Sequence, residues 1–371
     1  MPMRSASAAS ARGAQAPEGR PGEYLEPVGV ETGRWLFLGM DGRLTAYLPV
    51  AGGVQRWTQD RPGATRWTGP EFFAAPHVRF MSLTQGADGY VHLLGRRARR
   101  RADGTATVDI VHAIQYQTGR PLSEWRGLGN PYKDPEAARK FGRPSGVADA
   151  SGTVHVFVRN GAGGVHLRRE GVGGKWQPWE DLGGEQAVHG LAPAVTASGR
   201  IELLAPARGS ALHWYQAEAG GQLLRGQDIP QVPVAGSAVG LETARERVSF
   251  YWSDPAGGIV AQRPGNWPVA LGSATDDTQL AAVRTFIDGY DCTVLAHRGA
   301  TGAIMLSAFV NESEANGVWW SDTGRRCVGG PGLAVDAYGR VTLAAVDESG
   351  ALWISHQTEG QGLALGDWYR I

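Results

Sequence analysis

Short runs of alternating apolar and polar residues recur along this chain, each following a turn signal. Leu44 to Leu48, Val154 to Val158, Val248 to Trp252 and Val341 to Ala345 follow the period-2 pattern of strands. The turns opening successive units lie at Asp41-Gly42, Asp88-Gly89, Ser151-Gly152, Ser198-Gly199, Arg245-Glu246, Asp288-Gly289 and Tyr338-Gly339, 43 to 63 residues apart. A second turn, marked by Gly53, Gly104, Gly164, Gly209, Gly258, Gly302 and Gly350, follows 10 to 15 residues later, as a hairpin requires. An apolar run such as Trp35 to Leu38 or Leu333 to Val335 precedes the first turn, and a third strand carries Trp57, Trp214 or Trp353. Each unit closes on Trp67, Trp125, Trp176, Trp267, Trp319 or Trp368, with Leu223 as the substitute in the fourth.

Seven repeats of four strands describe an all-β fold, a seven-bladed β-propeller of four-stranded antiparallel blades. It is expected to span residues 27–371 as one domain, behind an N-terminal tail, 1–26, read as disordered from its Ala, Ser, Gly, Arg and Pro content. A β-sandwich would not repeat one unit seven times, whereas a solenoid of the same units remains an alternative. The closing tryptophans are expected to fill the gap that widens between radiating blades, with Trp67 and Trp319 buried there. The longest spacing reflects insertions in the second unit: the basic run Arg96 to Arg101 and the stretch Lys133 to Lys140, read as one short helical turn.

Composition agrees with many short strands and tight turns: 54 Gly and 13 Trp accompany 42% hydrophobic residues. Lys+Arg and Asp+Glu balance at 36 each, so no global field recruits nucleic acid, which is disfavoured as a partner. The run Arg96 to Arg101 is the one local polyanion candidate, against a plainer reading as a solvated loop. No stretch reaches the ~18 apolar residues of a membrane-spanning helix, so no membrane partner is expected. The N-terminus lacks the apolar core of a secretory signal, which makes the cytoplasm the default address. Cys292 and Cys327 lack metal-ligand spacing and read as buried free thiols. No cofactor or metal is expected.

The third repeat, Gly142 to Gly184, carries the turn Asp149-Ala150-Ser151-Gly152, the run His155-Val156-Phe157-Val158-Arg159, and Trp176-Gln177-Pro178-Trp179 before Leu182-Gly183-Gly184. It resembles the repeat of bacterial seven-bladed propeller lectins of the Photorhabdus type. The seventh repeat, through Asp347-Glu348-Ser349-Gly350-Ala351-Leu352-Trp353, is a second match. The resemblance implies binding of fucose or related sugars in shallow sites between blades. It points to Trp176 or Trp179 as a stacking ring and to Arg143, His155 or Arg159 as hydroxyl donors. The divergence of the repeats implies one or two retained sites, or a single different one, rather than seven.

Three residues after the first turn stand Thr45, His92, His155, Glu202, Ser249 and Thr342, with Thr293 at the same place if the sixth turn is one residue longer, a polar position in every unit. Their plainer reading is hydrogen bonding to neighbouring blades or turn backbones, because buried polar groups need partners. No metal helix, phosphate loop, nucleophile elbow or paired Cys motif is present, so the easily recognised catalytic classes lack support. Asp276-Asp277 are the obvious carboxylates for glycoside chemistry and also fit a turn. Three functions follow in order: non-catalytic glycan recognition with a carbohydrate or small-molecule ligand, an enzyme with a polar pocket at the central channel, and a protein-interaction scaffold.

Overall fold

The computed structural model describes residues 33–100, 106–276 and 279–371. They form seven separate sheets, each of four strands in chain order. Blade 1 holds β1 to β4 (Leu36–Leu38, Leu44–Val50, Gly53–Gln59, Trp67–Ala74) and blade 2 holds β5 to β8 (Val78–Gln85, Val91–Arg100, Ala106–Gln115, Arg126–Gly129). Blade 3 comprises β9 to β12 (Pro144–Ala148, Val154–Arg159, Val165–Arg169, Glu180–Asp181). Blade 4 comprises β13 to β16 (Ala192–Val195, Ile201–Pro206, Ala211–Gln216, Leu223–Arg225). Blade 5 runs from β17 to β20 (Val239–Ala244, Arg247–Ser253, Ile259–Gln262, Val269–Gly272). Blade 6 runs from β21 to β24 (Ala281–Ile287, Tyr290–Arg298, Ala303–Val310, Ser321–Arg326). Blade 7 ends the chain with β25 to β28 (Gly332–Val335, Val341–Val346, Leu352–His356, Tyr369–Arg370). The fold is therefore the expected seven-bladed propeller. The tail 1–26 and Gly104 lie outside the described residues.

Burial grades along each blade. The second strands β2, β14 and β26 are buried at every position, because a neighbouring blade covers each of their faces. Outer strands such as β12 and β24 are mostly exposed. Alternation sends successive side chains to opposite neighbours. In β10, Val154, Val156 and Val158 join a cluster with Leu94 and Ile110 of blade 2, while Phe157 joins Leu203 and Trp214 of blade 4. Seven such apolar clusters occupy the seven seams.

The seventh seam closes the ring by side-chain packing and a hydrogen bond. Blades 1 and 7 are each built from one contiguous stretch of chain, and among the described residues no strand is exchanged between the ends. Trp35, Leu36 and Trp57 of blade 1 pack on Ala334, Ala344 and Ile354 of blade 7, and Trp35 Nε1 donates to Gly330 O at 3.3 Å. This excludes an open solenoid.

An aspartate cap holds the first turn of blades 3 and 7. Asp149 Oδ1 accepts from the backbone N–H of Ser151 (2.9 Å) and Thr153 (3.0 Å), and Gly152 completes the turn at φ +82°. Blade 5 turns within two residues and without glycine: Glu246 stands at φ +61°, its carboxylate tied to Arg200 at 2.8 Å.

Three expectations need correction. Trp319 is 87% exposed and Trp267 89% exposed, so neither is a wedge. The residue before β24, Trp320, turns inward instead, and its Nε1 donates to Leu271 O of blade 5 at 2.9 Å. Trp368 repeats this contact, donating to Thr323 O of blade 6 at 3.2 Å. Trp67 is half-buried against the seam of blades 7 and 1. The basic run is not a loop: Arg96 to Arg100 belong to the long strand β6, where Arg97 pairs with Asp109 at 2.8 Å and Arg96 donates to Phe141 O. Arg101 lies outside the described residues.

The expected helical turn is α1 (Pro135–Arg139), capped by Asp134, whose carboxylate accepts from Ala137 N at 2.8 Å. Among the described residues no helix is long and apolar enough to cross a membrane.

Candidate functional site

Connections between blades and the hairpins joining second to third strands share one end of the ring, here the upper face. The turns at the start of each unit occupy the lower face. On the upper face, at the seam of blades 3 and 4, lies a cavity of about 600 Å³. Four local features build it. The loop entering β9 supplies Gly142 and Arg143, and the end of β10 supplies Arg159. The hairpin after β10 contributes Gly161, Ala162 and Gly163, while blade 4 and the connection to it contribute Gln186, His189 and Arg208.

The hairpin is held from within. Asn160 Oδ1 accepts from Ala162 N (3.0 Å) and Gly164 N (2.8 Å), and Ala187 N donates to Gly163 O at 2.7 Å, binding the two walls together. Gly142 lets the strand end come close: a Cβ there would sit 3.1 Å from Arg159 Cβ and 3.1 Å from its carbonyl oxygen. Arg143 places its guanidinium 4.2 Å from the Phe80 ring centroid, a cation–π contact that orients it.

Of the five residues expected at a sugar site, Arg143 and Arg159 line this cavity. His155 lies four residues from Arg159 on the same strand, about 13 Å away at 3.3 Å per residue. It is buried, with Nδ1 3.2 Å from Thr153 O, on the rim of a lower-face cavity of about 530 Å³ that Arg169 and Glu170 also line. Burial lowers its pKa. Trp176 and Trp179 face blade 2 instead. Trp176 meets the His112 ring edge-on at 5.4 Å, and Trp179 meets Phe141 at 5.0 Å. Both are half-buried, packed against the seam of blades 2 and 3. The structure thus brings the two arginines together and sets the tryptophans across the blade from them.

Sequence reasoning missed Arg208, His189 and Gln186. Arg208 lies two residues beyond the end of β14, where the repeat equivalent of Arg159 is Pro206, so the repeat pattern carried no signal for it. A smaller cavity of about 390 Å³ lies beside α1 and includes Arg97, Asp109 and Lys133.

The recurring polar positions are all buried, but most bond within their own blade rather than to a neighbour. His92 Nδ1 lies 3.0 Å from His112 Nε2, Glu202 Oε2 lies 3.0 Å from His213 Nε2, and Thr342 Oγ1 lies 2.8 Å from His356 Nδ1. Adjacent strands in register put these side chains closer than any across a seam. Burial pushes His92 down to about 4 and His112 down to about 3, so both are neutral near pH 7.

The central channel offers less. Arg34, just before β1, donates from Nη2 to Gly240 O of blade 5 at 3.0 Å, so its side chain reaches over the axis to a non-adjacent blade. Asp276 is ion-paired with Arg298, and Asp277 lies outside the described residues. Both cysteines are buried and free, and burial pushes the Cys327 thiol up to about 12. Among the described residues, no group of three His, Cys, Asp or Glu side chains is placed to hold a metal ion.

No protein-family model matches the chain, and no curated protein matches its sequence. Solved structures do match as folds. BP39L lectin from Burkholderia pseudomallei superposes with a TM-score of 0.69 at 10% identity, covering 92% of this chain and 99% of that one. A triple arginine-to-alanine mutant of AofleA from Arthrobotrys oligospora gives 0.52 at 11% identity, over 80% and 86% of the two chains. The Hadza microbial sialidase Hz136 gives 0.51 at 11% identity, over 82% and 70%. At these identities the likeness is one of fold.

Proposed function

We propose that this propeller is a carbohydrate-binding protein without catalytic activity, and that its ligand occupies the upper cavity between blades 3 and 4. The observation that carries the reading is that cavity itself. At about 600 Å³ it falls within the range of small-molecule sites, and it gathers hydrogen-bond donors from two adjacent blades. Arg143 and Arg159 both belong to the repeat that resembles the Photorhabdus-type lectins, and the best-superposing neighbour quoted above is itself named a lectin. Sugar hydroxyls accept from guanidinium N–H groups in directions that a rigid fork fixes. Among the described residues no tryptophan, tyrosine or phenylalanine lines the cavity, so recognition there is by polar contact rather than by stacking on an apolar ring. His155, Trp176 and Trp179 then serve the seams that they pack.

The test is a glycan array probed with the full chain, with positives titrated calorimetrically. Ala162, exposed on the cavity wall, is the place to block it: Ala162→Trp should abolish binding. Trp319→Ala, on the lower face, should leave binding unchanged. A chain that binds no saccharide, or an Ala162→Trp variant that binds like the parent, overturns the reading.

A further inference from the structure

The upper cavity has a charge that its role in the seam does not require. Arg143, Arg159, Arg208 and His189 line it, and no carboxylate does. Arg159 is half-buried, yet among the described residues neither its side chain nor that of Arg208 takes part in a hydrogen bond or ion pair. Several partly buried arginines elsewhere are answered. Arg200 meets Glu246 at 2.8 Å, Arg263 meets Glu314 at 3.0 Å and Arg340 meets Asp336 at 2.7 Å.

A partly desolvated guanidinium without a counter-charge is costly, and the cost falls when an anion arrives. A concave wall of one sign also concentrates field lines and raises the local concentration of anions. Guanidinium and carboxylate are both planar, and their paired N–H···O contacts make arginine the natural reader of that group.

We propose that the cavity selects an acidic sugar, a saccharide whose ring carries a carboxylate, with that carboxylate held by Arg159 and Arg208. Arg143 and Gln186 face the remaining hydroxyls. Arg159 extends from blade 3 and Arg208 from blade 4, so the ligand bridges the seam. The proposal rests on the carbohydrate reading and narrows it to one ligand class.

The experiment titrates the full chain with methyl β-glucuronide and with the methyl glycoside of N-acetylneuraminic acid, each against its own methyl ester. Esterification removes the charge and leaves the ring intact. At least one acid should bind tenfold or more tightly than its ester, and the preference should shrink as salt rises from about 0.05 to 0.5 M because screening weakens the ion contact. Arg208→Ala and Arg159→Lys should each lower the affinity for the acid by about ten- to a hundredfold, the weight of a charged hydrogen bond. They should barely move the affinity for the ester. Circular dichroism checks that both variants fold; Arg208 is exposed, so its removal disturbs no packing.

Equal affinity for acid and ester, or variants that bind the acid like the parent, would sink the acidic-sugar proposal while leaving carbohydrate binding intact. Acetate binding as tightly as the acidic sugars, or a sulfated glucoside binding more tightly than either, would sink it too. If no sugar of any charge binds, the carbohydrate reading itself fails.

Discussion

At the scale of single residues, the buried histidines couple this fold to pH. His92 and His112 share a contact inside blade 2, and burial holds their pKa values near 4 and 3, below the ordinary 6.5. A depressed pKa means that the unfolded chain takes up protons before the folded one does. Stability is therefore full above about pH 6.5 and declines as pH falls through 6.5 toward 4 and below. His155, His166, His297 and His356 are lowered in the same direction, again chiefly by burial. The melting temperature should fall between pH 7 and pH 4, and a His92→Gln/His112→Gln pair should flatten that decline. A melting temperature that stays level over this interval in the parent would show that these imidazoles carry protons in the folded state. The residue types were plain from the sequence, since a polar position recurs in all seven units. The partners were not, because whether a strand side chain bonds across a seam or along its own sheet depends on how far apart the sheets stand.

At the scale of elements, one residue of register separates two adjacent tryptophans. Trp319 stands in the loop before β24 and is 87% exposed, whereas Trp320 turns into the seam and joins blade 6 to the outer strand of blade 5. Trp320→Ala should cost about 3 kcal/mol, the low end for emptying a large aromatic site because the ring is only part-buried. Trp319→Ala should stay within about 0.5 kcal/mol, as surface changes do. Chemical denaturation of both variants decides the matter, and equal losses would refute the wedge assignment. The repeat showed that an aromatic closes most blades, but side chains alternate at every residue, so spacing across a loop of uneven length could not say which of two neighbours points inward. Turns were better marked. All seven first turns stand at the positions read from the sequence, six of them bending at glycine and blade 5 at Glu246.

At the scale of the whole molecule, the ring holds together through seven apolar seams, and the one between blades 7 and 1 joins the two ends of the folded chain. Trp35 is 3% exposed at its centre. Trp35→Ala should destabilise by about 3–5 kcal/mol, and hydrogen exchange should rise first in blades 1 and 7, because opening this seam frees the terminal blades. Uniform acceleration over all seven blades would argue instead that the ring opens as one unit. The two faces also differ in character. The cationic cavity lies above, while Trp267, Phe286, Tyr290, Trp319 and Tyr338 project from strand ends, turns and loops below. With no tryptophan lining the cavity, ligand binding there should be sought by heat rather than by indole fluorescence.

The linear chain by itself determined the seven units, their four strands, the positions of their turns and the small helix, because period-2 alternation and turn chemistry act between near neighbours. It also marked Arg143 and Arg159 as candidates through the least diverged repeat. Only the tertiary structure decided that Arg208 and His189 join them, that His155 serves the opposite end of its strand, and that Trp176 and Trp179 face the other seam. Those relations arise where two blades meet, and the angle and offset of one sheet against the next are set by the packing of the closed ring, which no local pattern encodes.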